Sequence, residues 1–339
     1  MKASVRKYLL LAVPLALAVV GAVVLVPGLR YPYYYEYASS ISAGRRLMKK
    51  VYGKPSPAAE RTFSLCVEGS RGNWDRVSEL TAQDSKTELG TYFHNLANAM
   101  KGCLADSLMY YYQPLDRALF IPVREGSDPF MVAQSSEVWY RLGALAMAER
   151  CAILGMTFSP SKTGSKFIER LSDINFIRGD SGAASKFAHI LGRNQEWTPD
   201  KLEISRYLPE KDTLCSMNDV RAILRNLLDS NPDNRPAYDY LLCYDLLIKD
   251  IDSFIRDYDP VMPTSRLYEE AALIHLADKG LFSTENILKY HIQEATYRDF
   301  ERYGAVYTSG EGRLERLKDE FPNSYWLYYH FARKNEKQN

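Results

Sequence analysis

Two stretches of the chain share one pattern of apolar positions, ninety residues apart. The first runs Leu224, Leu227, Pro232, Tyr238, Leu241, Leu242; the second runs Leu314, Leu317, Pro322, Tyr328, Phe331, Ala332, with identical spacing. Two leucines three apart fit the end of a helix, a proline fits the turn, and the aromatic-aliphatic stripe opens the next helix. Helix-turn-helix units of this kind stack into α-solenoids. Helical periodicity also pairs residues 61–68 with 74–80, 89–100 with 104–112, and 165–176 with 182–191. It continues through 217–228, 237–258, 267–279, 284–303, 313–320 and 324–334. The strongest stripe, 135–156, predicts a single helix. It contains Trp139, Tyr140, Arg141, Leu142 and Gly143, the opening of the tetratricopeptide pattern, and Ala146, Ala148 and Ala152 continue a ridge of small residues. That pattern fails further on, where Gly155 and Ser159 replace its Ala and Phe. Gly143 is expected where a paired helix approaches closely. Pro114, Pro122 and Pro129 interrupt the pattern between 113 and 134. No segment alternates with period two, so the fold class is all-α: a tetratricopeptide-like α-solenoid of helical hairpins behind an N-terminal anchor.

The anchor is the uncharged run 9–26, with Leu9 its first residue and Val26 its last, long enough for a bilayer-spanning helix. Lys2, Arg6 and Lys7 precede it, and no small-x-small site follows its end, which favours an uncleaved signal anchor over a cleaved signal peptide. Charge does not orient it, since Lys2, Arg6 and Lys7 are balanced by Arg30, Arg45 and Arg46. A long domain behind an early anchor is usually exported. The expectation is therefore a single-pass inner-membrane protein with a periplasmic body. Tyr31, Tyr33, Tyr34, Tyr35 and Tyr37 are expected at the headgroup level, where amphipathic rings collect. Residues 37–52 predict an amphipathic helix, with Arg45, Arg46, Lys49 and Lys50 either a solvated face or a collar on anionic headgroups.

The division expected is 1–7 cytoplasmic, 8–29 anchor, 30–56 juxtamembrane, 57–196 first helical half, 197–214 linker and 215–339 second half. A formal charge of +1 argues against nucleic acid as a partner. Twenty-five tyrosines against 13 phenylalanines and 4 tryptophans suit partly wet packing surfaces or a binding groove. Cys66, Cys103, Cys151, Cys215 and Cys243 are odd in number and widely spaced, signalling neither a disulfide framework nor a zinc site. Ser159, Lys162, Thr163 and Gly164 imitate the S-x-x-K and K-T-G motifs of penicillin-binding enzymes, but one lysine cannot serve both. Asp229, Asn231 and Asp233 open like a calcium loop, yet Asn234 and Tyr240 stand where Gly and Glu are needed. No histidine pair has the spacing of the helical zinc motif.

Trp74-Asp75, Asn95-Leu96-Ala97 with Gly102 and Leu104, Leu142-Gly143 with Ala148, and Tyr325-Trp326-Leu327-Tyr328-Tyr329 carry a resemblance. Over about residues 58–335 the chain resembles an uncharacterised, domain-of-unknown-function family of membrane-attached Bacteroidetes proteins with a tetratricopeptide-like soluble part. Relatives carry several hydrophobic segments ahead of that part, whereas this chain has one. The resemblance implies packing motifs and no catalytic residue.

The leading expectation is a membrane-tethered interaction scaffold that holds a protein or peptide partner, with no cofactor, no metal and no enzymatic activity; self-assembly is open. The alternative is a receptor for a small molecule or glycan, using Tyr and Trp stacking. Trp326, Tyr329 and His330 line one side of the terminal helix at i, i+3 and i+4. They are either packed beneath an earlier helix or form the candidate interaction surface.

Overall fold

Among the residues described by the computed structural model (27–40, 53–82, 87–123, 127, 129–158, 164–192, 204–208 and 219–332), every regular element is helical. The run 9–26, the basic residues Arg45, Arg46, Lys49 and Lys50, and Cys215 lie outside them. No helix of the described residues is long and apolar enough to cross a membrane.

The first helices are α1 (Pro27–Arg30), α2 (Pro32–Ser40), α3 (Pro57–Arg71), α4 (Trp74–Ala82), α5 (Glu88–Met100) and α6 (Leu104–Ser107). Local chemistry sets their ends. The Ser56 side chain accepts from the Ala59 N–H ahead of Pro57, and Gly72, at φ 75°, lets α3 close with Asn73 N donating to Glu68 O at 3.0 Å. The start of α2 is capped from outside: the two Glu60 carboxylate oxygens accept from Tyr33 N and Tyr34 N, both at 2.9 Å.

That docking corrects one expectation. Tyr34 and Tyr37 do not lie ready for a lipid interface; they are buried against Phe63, and Tyr37 also meets Phe130. Their hydroxyls are satisfied inside the protein, Tyr34 donating to Gly53 O and Tyr37 accepting from Gln134 Nε2, each at 2.7 Å. An amphipathic ring suits a core with polar tips as well as a headgroup region.

Next come α7 (Pro129–Arg141), α8 (Leu145–Phe158), α9 (Ser165–Ile177) and α10 (Ser181–Ile190). The single helix expected over 135–156 is thus a hairpin. Gly143 sits at φ +88°, Ala144 N returns to Trp139 O at 2.9 Å, and α7 and α8 pack against each other. Gly143 does permit a close approach, but of the 3-10 turn Ile204–Tyr207, whose Tyr207 carbonyl oxygen would lie 2.4 Å from an added Cβ.

The remaining helices are α11 (Val220–Ser230), α12 (Arg235–Leu247), α13 (Ile251–Asp257), α14 (Arg266–Lys279), α15 (Thr284–Lys289), α16 (Glu294–Tyr307), α17 (Arg313–Glu320) and α18 (Tyr325–Phe331). Two more expected helices are broken here, 237–258 at Lys249 (φ 62°) and 284–303 at His291 (φ 51°).

The ninety-residue sequence repeat is a backbone repeat. Asn231 N donates to Leu227 O at 2.8 Å and Phe321 N to Leu317 O at 2.9 Å. Asn234 N reaches Asn231 O at 3.1 Å, and Ser324 N reaches Phe321 O at 3.2 Å. The Asn234 and Ser324 side chains then cap α12 and α18. The copies differ in what they pack on: α11 lies against α12, whereas α17 lies against α16 and α18 against α14.

The halves share one hydrophobic core, since α12 packs on α5 and α6, and α14 on α6. Part of the expected linker is fastened to it. Ile204 is buried, and Asn234 Nδ2 donates to both Leu142 O (2.9 Å) and Tyr207 O (3.3 Å).

Candidate functional site

Helix α7 carries four polar residues in succession, Gln134, Ser135, Ser136 and Glu137, and all four are buried. Three are answered locally or by neighbours: Gln134 by Tyr37, Ser135 by Val132 O at 2.7 Å, and Ser136 by Ala148 O at 3.1 Å. Glu137 is answered from α9, whose Lys166, Arg170 and Asp173 follow at helical spacing on one face. Arg170 Nη2 lies 2.7 Å from both Glu137 oxygens, and Lys166 Nζ lies 3.5 Å from Oε1.

These residues form one wall of a cavity of about 620 Å³ bounded by α2, α3, α7 and α9. Glu36 and Arg71 pair across its exposed edge at 2.6 Å. Ser39, Ser40, Ser70 and Ser165 add hydroxyls, and Tyr140 and Arg141 complete the α7 side. Two guanidiniums stand over the Tyr140 ring, Arg170 Cζ at 3.6 Å from its centroid and Arg141 Cζ at 5.7 Å. Arg141 also stands over Trp74 at 5.0 Å and donates through Nη2 to Ser70 O at 3.0 Å.

The electrostatics follow from burial and pairing. Burial alone would push the Glu137 carboxyl up, but Arg170, then Lys166 and Arg141, outweigh it and hold the group at about 2. Burial lowers the Arg141 guanidinium, and Arg170 lowers it further, although Glu137 pulls the other way. Burial pushes the Tyr140 phenol up to about 12. The Cys66 thiol, enclosed in the same region, is pushed to about 12 by burial and stays protonated near neutral pH.

Of the cavity side chains, Arg141 is named only within the tetratricopeptide-like run 139–143, as a packing residue, and Glu137, Lys166 and Arg170 are not among the residues singled out by sequence pattern. The available signal was the polar run 134–137 inside an otherwise apolar helix. The residues that were singled out lie elsewhere. Trp326 is fully buried, against Phe300 and Tyr303, with Nε1 donating to Glu270 O at 2.9 Å. It is therefore a core side chain and presents no surface. Tyr329 is half-buried and lines a smaller cavity of about 360 Å³ with Lys249, Asp252, His275 and Asp278. His330 is exposed, while its Nδ1 stays within 2.9 Å of Tyr303 Oη and Trp326 O. Among the described residues no group of three or more His, Cys, Asp and Glu is arranged to hold a metal ion.

Compared with known proteins, the chain matches a Family of unknown function (DUF6057) over residues 2–332. No curated protein and no solved structure is matched.

Proposed function

The chain belongs to this family of unknown function, and from that premise we propose that it is a binding protein for a small, strongly polar solute held between α2, α3, α7 and α9. The observation that carries the reading is the enclosed Glu137–Arg170–Lys166 cluster facing a cavity of about 620 Å³. Volumes of roughly 300–1,000 Å³ accommodate small-molecule ligands. Binding is favoured over catalysis because Glu137, held at about 2, exchanges no proton near neutral pH, and the described lining carries neither histidine nor cysteine. A glycan fits less well than a charged solute, since the lining rings Tyr37 and Tyr140 are covered by Lys166 and Arg170.

In this reading the paired helices are a tetratricopeptide-like frame, and the run 9–26 tethers it to a membrane. Capture of a partner protein is the second reading. Leu281, Phe282 and Leu288 are exposed close together in sequence at α15, a helix that buries none of its own side chains.

Thermal shift of the purified chain against panels of anionic, cationic, zwitterionic and neutral solutes tests the first reading. At least one class should raise the melting temperature, and Ser39→Trp, at the exposed edge of the cavity, should abolish that rise. A chain indifferent to every class would overturn it.

A further inference from the structure

We infer that the cavity receives an anionic group, a carboxylate or a phosphate, between Lys166, Arg141 and Tyr140; this rests on the binding reading above. Three donors on one lining make no hydrogen bond within the protein among the described residues: Arg141 Nε, the Tyr140 hydroxyl, and the Lys166 ammonium, whose ion-pair contact to Glu137 Oε1 is long at 3.5 Å. Enclosed donors are nearly always hydrogen-bonded, so three on a single cavity point to an acceptor-rich occupant.

Charge points the same way. Arg170 takes both oxygens of Glu137 at 2.7 Å, leaving Lys166 at 3.5 Å as the longer contact to the same carboxylate. Arg141 makes no ion pair with any described carboxylate, and its one hydrogen bond goes to the Ser70 carbonyl. The acids of the lining have partners already: Glu36 pairs with Arg71 at 2.6 Å, Glu137 with Arg170, Asp173 acts on Arg170, Tyr140 and Arg141 through charge, and Glu169 has an interaction of its own. What the cavity offers an incoming molecule is therefore N–H and O–H donors, two of them on cationic side chains. A carboxylate or phosphate oxygen can accept from several of these at once. A neutral sugar brings as many donors as acceptors, and a cation brings no acceptor for the Lys166, Arg141 and Tyr140 donors.

Isothermal titration calorimetry on the full chain separates the possibilities, with inorganic phosphate, succinate and glucose as probes. Phosphate or succinate should bind, and the affinity should fall at least tenfold in Lys166→Gln and in Arg141→Gln while changing little in Arg71→Gln. Should a variant fail to fold, lysine acetylation followed by mass spectrometry reads the same site in the unaltered chain, where the bound anion should protect Lys166. Retention on phosphatidylglycerol vesicles but not phosphatidylcholine vesicles, lost in Lys166→Gln, would assign the anion to a lipid headgroup. Binding of glucose with no response to any anion would overturn the inference and leave the cavity reading intact. Silence toward all probes and both vesicles would overturn both.

Discussion

Arg170 closes on Glu137 with one nitrogen, Nη2, 2.7 Å from each carboxylate oxygen. The two residues belong to different hairpins, Glu137 to α7–α8 and Arg170 to α9–α10, so the pair clasps neighbours together across the cavity wall. A buried ion pair gives little net stability over a well-packed apolar pair, yet breaking one by removing a single partner costs about 3–5 kcal/mol. The clasp therefore ties the two hairpins together while adding little to the total stability beyond what an apolar pair would give.

Glu137→Gln should accordingly destabilise the chain by roughly 3–5 kcal/mol at neutral pH, because Arg170 keeps its charge in an enclosed site. The pH dependence has a definite sign. The folded-state carboxyl is held at about 2, below its ordinary 4.5, so its contribution is complete above about 4.5 and is lost as pH falls toward about 2. That window is worth on the order of 3 kcal/mol. Chemical denaturation from pH 7 to pH 2 should show the variant and the unaltered chain converging in stability at the acid end. A constant gap would disprove the clasp.

Gly143 and Gly102 offer a controlled comparison. Both have positive φ, 88° and 73°, but only at Gly143 is an added Cβ obstructed, by Tyr207 O at 2.4 Å. Gly102→Ala should cost about 1–3 kcal/mol through left-handed backbone strain alone. Gly143→Ala adds a backbone collision that no rotamer relieves, so its melting temperature should fall further. Equal losses would show that the 3-10 turn Ile204–Tyr207 yields freely.

How much of this could be read from the chain depends on the distance over which each signal acts. The hairpins at Pro232 and Pro322 were legible because leucine spacing, a turn proline and a capping Asn or Ser are all local. The breaks at Lys249 and His291 were not, since neither residue type favours positive φ and tertiary packing imposes it. Tyr34 and Tyr37 misled because the same amphipathic ring serves a headgroup region and a wet-edged core. The cavity was hidden for a different reason. Glu137 and Arg170 are 33 residues apart, and only the fold brings them within 2.7 Å.

The tyrosine excess has a similar account at the C-terminus. Tyr325 and Tyr328 donate from α18 to Leu246 O and Leu247 O, both at 2.8 Å, satisfying carbonyls at the end of α12. Lys249 answers by donating to Tyr329 O and Ala332 O at the end of α18. Trp326 anchors this exchange from the buried side. Trp326→Ala should lower stability by about 3–5 kcal/mol, as for other buried aromatic truncations. Normal folding with altered self-association, followed by calorimetry and sedimentation, would return Trp326 to a surface role.

The repeat itself predicts an asymmetry between equivalent caps. Asn234 and Ser324 hold the same position, each side chain accepting from the N–H three residues on, Ala237 at 3.1 Å and Leu327 at 3.3 Å. Loss of an N-cap side chain costs about 0.5–2 kcal/mol. Ser324→Ala should stay in that range, since its remaining hydrogen bond is to Phe321 O within the same turn. Asn234 is fully buried, and its Nδ2 also donates to Leu142 O and Tyr207 O, so Asn234→Ala leaves those enclosed carbonyls short of a donor as well. Its cost should exceed that of Ser324→Ala by roughly 1–3 kcal/mol. Asn234→Asp is the sharper variant: it keeps the capping oxygen but sets a carboxylate against the carbonyls of Leu142 and Tyr207. It should destabilise at least as much as Asn234→Ala at neutral pH and recover in part below about pH 4, where the acid can donate again. Urea denaturation of the three variants at pH 7 and pH 4 measures all of this, and an Asn234→Asp variant as stable as the unaltered chain would show that the cap, rather than the bond between the halves, is what Asn234 supplies.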